Sequence, residues 1–465
     1  MQIGIDFGTT NTVAAIIGPD GKPVVLPLDP EAPESGTLRT LLYVERDGLI
    51  HIGSEAMRLH RDQNVGRIPR FAKAWVGVID IEMGDAVVKG YEIKGGAMSV
   101  EVFADVDADA PGRLLHSLKS PLATEYAGTK VFDHDYTLEE LIAEFLVRVR
   151  ERIETLTGNS VREAVFGRPV VFAGAHLDAD NQRAQERLGH AAELAGFTRV
   201  VFEQEPIAAG LAFGASRALA QDALAQDAQD ARALVFDFGG GTLDIAVLQM
   251  SVDGSQQVLA TGGVAIAGDH FDQTLFRRAI LPWLGERVKW GPQRLDMPTH
   301  LMDALGDWQD VVTLCNAPTL AHLRQIHADC TSPIRILALE DFIFKGYAFD
   351  LYSRIEQCKR ELSAQRFAVT AFDKEAISIW QPVTRGQFEA YIARDGRAIR
   401  DMVQETIDRA GLSVDQIDYV IRTGGSSSIP YFVDMLSQMF GKARLTESDL
   451  FTSVASGLAV RASQL

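Results

Sequence analysis

The sequence predicts an α/β protein built as two related halves. Three observations carry this. At 465 residues the chain exceeds the roughly 250–300 residues that a single hydrophobic core organises. Strand-like runs alternate with amphipathic helical patterns in both halves. Finally, IGIDFGTTNT at residues 3–12 and LVFDFGGGTL at residues 234–243 share one plan: a hydrophobic strand, Asp-Phe-Gly, then a small-residue turn rich in Gly and Thr. Similarity at half-chain spacing signals duplication, so each half should open on a strand whose end holds an acidic residue and a tight turn.

Along the chain, residues 1–28 read as strand, turn and strand around GPDGKP. Residues 39–120 mix short strand-like pieces with many glycines and aspartates. A clear helix follows from the capping box of Thr137 and Glu140 to Gly158, with Leu138, Leu141, Ile142, Phe145, Leu146, Val149 and Ile153 on one apolar face. EAVFGRPVVF is a buried strand, DNQRAQERLGHAAELAGF a helix and RVVFE a strand. Glu205 then stands directly before Pro206, a good first residue for the helix PIAAGLAFG. Residues 218–231 repeat Ala-Gln-Asp and read as an exposed connector between the halves. Residues 285–350 look irregular, with tryptophans, prolines and histidines. Helices resume at 350–364 and about 386–410, DYVIRTGG is a strand ending in glycines, and two helical patterns close the sequence.

Composition excludes several classes. The net charge of −18 disfavours nonspecific binding to nucleic acid or to an anionic membrane. Three cysteines argue against a disulfide framework and fit a reducing compartment. No apolar run reaches the ~18 residues of a membrane span, and the first residues read as a strand and loop rather than a signal peptide. The expectation is a cytoplasmic protein. Cys315, His322, His327 and Cys330 could be imagined around zinc, but the spacing matches no standard site.

The two turns carry the chemistry. Glycine permits positive φ and lets a backbone amide approach a ligand; consecutive amides form an anion-binding concavity, and threonine hydroxyls add donors. Asp6 and Asp237 would repel a bare polyphosphate, but fit if a divalent cation and its waters stand between. Two such loops facing one another would grip a nucleotide triphosphate across a cleft. Asp-Phe-Gly also occurs in protein kinases, but no His-Arg-Asp loop accompanies it and the duplication is wrong for one.

IGIDFGTTNT, FEQEPIAAGLAFG, LVFDFGGGTLDIAVL, AGDHFD, IEQCKRELS and VIRTGGSSSIP together resemble, in order, the nucleotide-binding domain of heat-shock 70 chaperones, within the actin/hexokinase-like superfamily. The closest likeness is to the YegD-type branch. The resemblance implies a two-lobed actin-like ATPase fold, each lobe a ribonuclease-H-like mixed sheet flanked by helices, with inserted subdomains. The expected division is 1–217 for the first lobe, with an insertion at about 39–119, and 218–231 for the connector. The second lobe would span 232–442 with an enlarged insertion at about 266–384, and 443–465 would return a helix to the first lobe.

The resemblance further implies roles. ATP or ADP would bind with Mg²⁺, and potassium nearby. Asp6 and Asp237 would hold the metal through water. Gly8, Thr9, Thr10 and Asn11 would cradle phosphates from one side, and Gly239, Gly240, Gly241 and Thr242 from the other. Glu205 would orient the attacking water. Gly268, Glu356, Lys359, Arg360, Ser363, Gly424, Gly425 and Ser426 would surround the nucleoside. A lysine should reach the γ-phosphate: Lys73 in FAKAWVG and Lys119 in GRLLHSLKSPL both qualify, and Lys119 is preferred. Pro169 matches the family's relay proline, or is a plain strand-end proline.

Three departures stand out. Ser428 occupies the place of an arginine that stacks on adenine; Ala267 and His270 replace a glycine and an aspartate; and the sequence ends soon after the last nucleotide motif, so no peptide-binding domain is expected. The long segment between Phe271 and Glu356 is read as a partner-contact region. The expected function is that of an ATP-binding, slowly hydrolysing chaperone-like protein whose nucleotide state changes its affinity for an unidentified protein. The alternatives are a small-molecule kinase, an actin-like filament protein and a non-hydrolysing nucleotide sensor.

Overall fold

A computed structural model describes residues 2–32, 36–82, 86–88, 91–93, 97–222, 230–251, 255–447 and 452–465. The duplication read from two turns extends through both sheets. In the first half the spatial strand order is Pro23–Val25, Asn11–Ile17, Gln2–Phe7, Glu163–Arg168, Arg199–Gln204. In the second it is Gln256–Val264, Leu243–Met250, Ala231–Phe238, Tyr419–Thr423, Leu445–Glu447. Both follow the chain order third, second, first, fourth, fifth. The first three strands form an antiparallel meander, and the last two run parallel to the first.

The helices repeat as well. In the first half Leu138–Thr157 leads into the fourth strand, Asp178–Leu194 joins fourth to fifth, and Glu205–Asp222 follows. In the second half Arg385–Arg409, Pro430–Phe440 and Ser453–Ala462 occupy the same three places. This is the two-lobed actin-like ATPase architecture. The two closing helices, Glu205–Asp222 and Ser453–Ala462, pack against each other where the halves meet. An added Cβ on Gly457 would lie 1.7 Å from the Ala208 carbonyl oxygen, so only glycine admits this crossing. Val165, Ala208, Val235, Ile421 and Leu458 bury one another there, which ties both sheets together.

Local signals account for the best-read elements. Helix Leu138–Thr157 has its reciprocal Thr137–Glu140 cap, Gly158 at φ 68°, and every predicted apolar-face residue buried. Of the connector read at 218–231, residues 218–222 continue helix Glu205–Asp222 and 223–229 lie outside the described residues. One expectation is corrected. Residues 285–350 contain the helices Thr299–Ala304, Trp308–Leu314, Ala317–Ala328 and Pro333–Phe344. Their prolines start helices rather than break them: Pro318 and Pro333 sit in first turns, where the missing N–H costs nothing, and Asn316 caps the Thr319 amide.

Before the fourth strand of the first half, Gly112–His116, Leu41–Glu45 and Ile50–Ile52 form a small sheet beside helix Gly53–Asn64. Strands Phe71–Glu82 and Ala97–Asp107 pair as a long antiparallel arm.

Candidate functional site: a cleft between two phosphate-type loops

Each half makes its loop in the same way. The Gly8 amide donates to the Asn11 carbonyl at 3.0 Å, and the Gly239 amide to the Thr242 carbonyl at 3.1 Å. A Cβ on Gly8 would stand 2.3 Å from the Asn11 oxygen, so the first turn requires glycine. The Thr40 hydroxyl donates to the Gly8 carbonyl at 2.9 Å and braces that turn from outside.

The loops then face each other at close range. A Cβ on Gly240 would lie 2.3 Å from Thr10 Oγ1, and one on Gly241 would lie 2.6 Å from Thr9 Oγ1. Glycine here lets the two turns meet with nothing but backbone between the hydroxyls.

Beneath the loops lies a charged floor. Asp237, Asp244, Glu205 and Lys119 are all buried, and Lys119 Nζ donates to Glu205 Oε1 at 2.5 Å. Lys119 is thus inside the cleft, whereas Lys73 stands exposed on strand Phe71–Glu82 and does not line it. Burial, reinforced by Glu205 and eased by Lys119, pushes Asp6 up to about 7. Burial, then Glu205, Asp244 and Asp6, raise Asp237 well above the usual carboxylate range. Asp244 is pushed up to about 7 by burial and Glu205, against the pull of hydrogen bonds from Thr242 and from the Val170 amide.

Four carboxylates share one ammonium, an arrangement that a hard, oxygen-preferring divalent cation would relieve. Among the described residues no three His, Cys, Asp or Glu side chains converge closely enough to chelate a metal by themselves. The donor set therefore fits Mg²⁺ held through water and phosphate oxygens. Cys315, His322, His327 and Cys330 form no metal cluster either.

Helix Ala348–Ala364 forms the opposite wall. Lys359 is buried and committed: its ammonium donates to the Gly268 carbonyl at 2.9 Å and to Asp272 Oδ2 at 2.5 Å. Asp272 is pushed up to about 7 by its burial, which Lys359 opposes. Arg360 and Ser363 line the cleft from the same helix. Gly424, at φ 77°, has no room for a Cβ against the Phe238 carbonyl. It leads into Gly425 and Ser426, whose hydroxyl donates to the Gly239 carbonyl at 2.7 Å. The Ser428 hydroxyl donates to the Gly425 carbonyl at 2.8 Å.

Apart from the alternative lysine Lys73, every residue expected at the site from sequence, Asn11, Thr242 and Gly268 among them, lines one cavity of about 680 Å³, within the range of small-molecule sites. Sequence reasoning missed Asp244, although it directly follows LVFDFGGGTL. The available signal was its spacing across a hairpin turn, which sets Asp237 opposite Asp244 in register. Asp269 and Asp272 were also passed over.

A clasp crosses the rim of the cleft. Arg39 pairs with Glu356 at 2.8 Å and Arg61 with Asp350 at 2.6 Å. Phe349 leaves its own half to pack with Leu41, Tyr43 and Ala56. His60 meets the rings of both Tyr43 and Phe349, and burial lowers it to about 4.

The family model described as "Hsp70 protein" matches residues 114–282 and 347–465, more than half of the chain. The chain belongs to the Hsp70 family. The Hsp70 model leaves residues 1–113 and 283–346 unmatched, and the second of these stretches contains the four corrected helices. Among curated Hsp70 relatives, the chaperone protein DnaK of Thermosipho melanesiensis is 25% identical over all of this chain and 59% of its own length. That of Thermus thermophilus is 26% identical over all of this chain and 60% of its own length. The chain thus spans about three fifths of the length of these relatives.

Proposed function

We propose that the chain binds ATP between its two lobes and hydrolyses it slowly, and that the exchange of ATP for ADP changes lobe closure and affinity for a protein partner. One observation carries this reading: two duplicated glycine turns meet within contact distance above a floor of four carboxylates and one lysine. Backbone amides and threonine hydroxyls of both turns would hold the phosphates. Bound Mg²⁺ would neutralise charge shared by phosphate oxygens and the Asp6, Asp237 and Asp244 carboxylates; potassium would serve as a further counter-ion. Lys119 is the lysine within reach of a terminal phosphate. Glu205, at the first position of its helix, would orient the attacking water and accept its proton. Electrostatic stabilisation by lysine and loop amides would supply most of the rate. The lobe boundaries at 217, 231 and 442 belong to this proposal. So does a cytoplasmic location, which the three free cysteines support. No described helix is long and apolar enough to cross a membrane.

The test is nucleotide binding and single-turnover phosphate release on wild type, Lys73→Ala, Lys119→Ala and Glu205→Ala. Lys119→Ala and Glu205→Ala should each lower release at least about a hundredfold, as loss of a transition-state group does, with Lys73→Ala unaffected. Loss confined to Lys73→Ala would overturn the lysine assignment. Tight ATP binding with no turnover in any variant would make the chain a sensor instead. ATP-dependent sedimentation would point to filaments, and ADP release that depends on an added polyol would point to a kinase.

A further inference from the structure

Lys119 reaches the cleft from an unusual piece of backbone. It follows strand Gly112–His116 by three residues, on a loop instead of a strand or a helix. Lysine side chains lose much rotamer entropy when fixed, so an ammonium held inside a cleft needs a rigid base.

Ser117 supplies the turn. Its φ of 49° is left-handed, a strained region for a non-glycine residue. That conformation ends the strand and sends Leu118 into the core and Lys119 into the cleft. Glycine would take this conformation without strain, yet serine stands here. Its hydroxyl lies 2.8 Å from His116 Nδ1, on a histidine whose burial holds it well below its ordinary value and therefore neutral. The Ser117 carbonyl accepts from the Ser120 amide at 2.9 Å and closes the turn.

The far side is strapped down as well. Leu122 and Ala123 are buried, the Ala123 carbonyl accepts from Arg183 at 2.6 Å, and the Thr124 carbonyl accepts from Arg187 at 3.2 Å. Both arginines project from helix Asp178–Leu194. Only the Ser117 end depends on a strained dihedral, and only the hydroxyl–imidazole contact distinguishes it from a glycine turn.

We propose that Ser117, locked by His116, is a positioning residue that holds Lys119 in the cleft. The functional consequence rests on the reading of Lys119 given above, but the placement does not. The experiment is lysine footprinting with acetic anhydride, read by mass spectrometry on the full chain without nucleotide, for wild type and Ser117→Gly. Glycine keeps the turn strain-free, so the variant should fold and melt within a few degrees of wild type. Lys119 should label at least about tenfold faster in Ser117→Gly, with buried Lys359 and exposed Lys73 labelled as in wild type. Unchanged Lys119 labelling overturns the proposal, and so does a uniform rise at Lys119 and Lys359, which would report general loosening.

Single-turnover phosphate release on the same two proteins then separates the two ideas. A fall of about tenfold or more at unchanged ATP affinity extends the placement to function, as expected for a group displaced by about an ångström. Faster Lys119 labelling with wild-type release leaves Ser117 as the holder of Lys119 and removes Lys119 from the reaction.

Discussion

Replacing Phe349 by alanine should speed nucleotide escape. Phe349 belongs to the second half by sequence, but its apolar partners Leu41, Tyr43 and Ala56 all belong to the first. It is only 9% exposed, and Leu41, Tyr43 and Ala56 across the rim supply apolar cover for its ring. A phenyl side chain buries about 150 Å² or more, and at ~25 cal/mol per Å² its removal weakens the closed state by about 3.8 kcal/mol. That is an upper value, because an opened Phe349 still shields part of its ring. At 1.4 kcal/mol per decade, the dissociation rate constant should rise by up to about five-hundredfold. Stopped-flow release of a fluorescent ATP analogue, chased with unlabelled ATP, measures it directly. Arg61→Ala serves as the comparison: its ion pair with Asp350 is partly exposed, and such pairs contribute about 0–1 kcal/mol, so release should change by less than about fivefold. Release from Phe349→Ala at the wild-type rate, in a variant that still melts cooperatively, would refute the idea that this ring latches the cleft.

Other outcomes follow from the same geometry. His60 binds its proton only below about 4 when folded but near 6.5 when unfolded; the unfolded chain therefore takes up more protons between these values. Stability from this group is complete above pH 6.5 and lost as pH falls towards 4, by about 3 kcal/mol in total; urea unfolding of wild type and His60→Gln at pH 7 and 4.5 should show the wild type losing more. Gly240→Ala adds a methyl 2.3 Å from Thr10 Oγ1 and should push the loops apart. Calorimetry should find ATP affinity at least about tenfold weaker, in line with an overpacking cost of 1–3 kcal/mol. Gly386→Ala, in an open helix position, should bind as wild type. Asp244→Asn should raise the Mg²⁺ concentration needed for half-maximal ATP binding by about tenfold, read by titration at fixed nucleotide.

What the sequence disclosed depended on the range of the interaction. The helix Leu138–Thr157 was legible because its cap, apolar stripe and terminal glycine all lie within one local window. The phosphate-type loops were legible because duplication states the same short-range rule twice. The four helices between residues 299 and 344 were not. Their prolines satisfy a helix start as well as a loop, and only burial of Leu301, Val311, Leu323 and Leu339 against a common core selects the helix. Asp244 was in plain view and lacked only the register of its hairpin. The clasp could not be read at all, because Arg39 and Glu356 lie 317 positions apart and nothing local marks either as a partner of the other.

The crossing of Gly457 over Ala208 gives the molecule a mechanical character. Helices Glu205–Asp222 and Ser453–Ala462 end their respective repeats and touch backbone to backbone, which leaves no room to slide closer. In the proposed lobe movement they would form the axle. Glu205 sits at the first position of one of these helices, while Phe349 and the Arg39–Glu356 pair lie at the rim. In a lever of this kind displacement grows with distance from the pivot, so a tilt that scarcely disturbs the Lys119–Glu205 pair can part the rim. On the proposed function, a nucleotide could then come and go without dismantling the groups that would act on it.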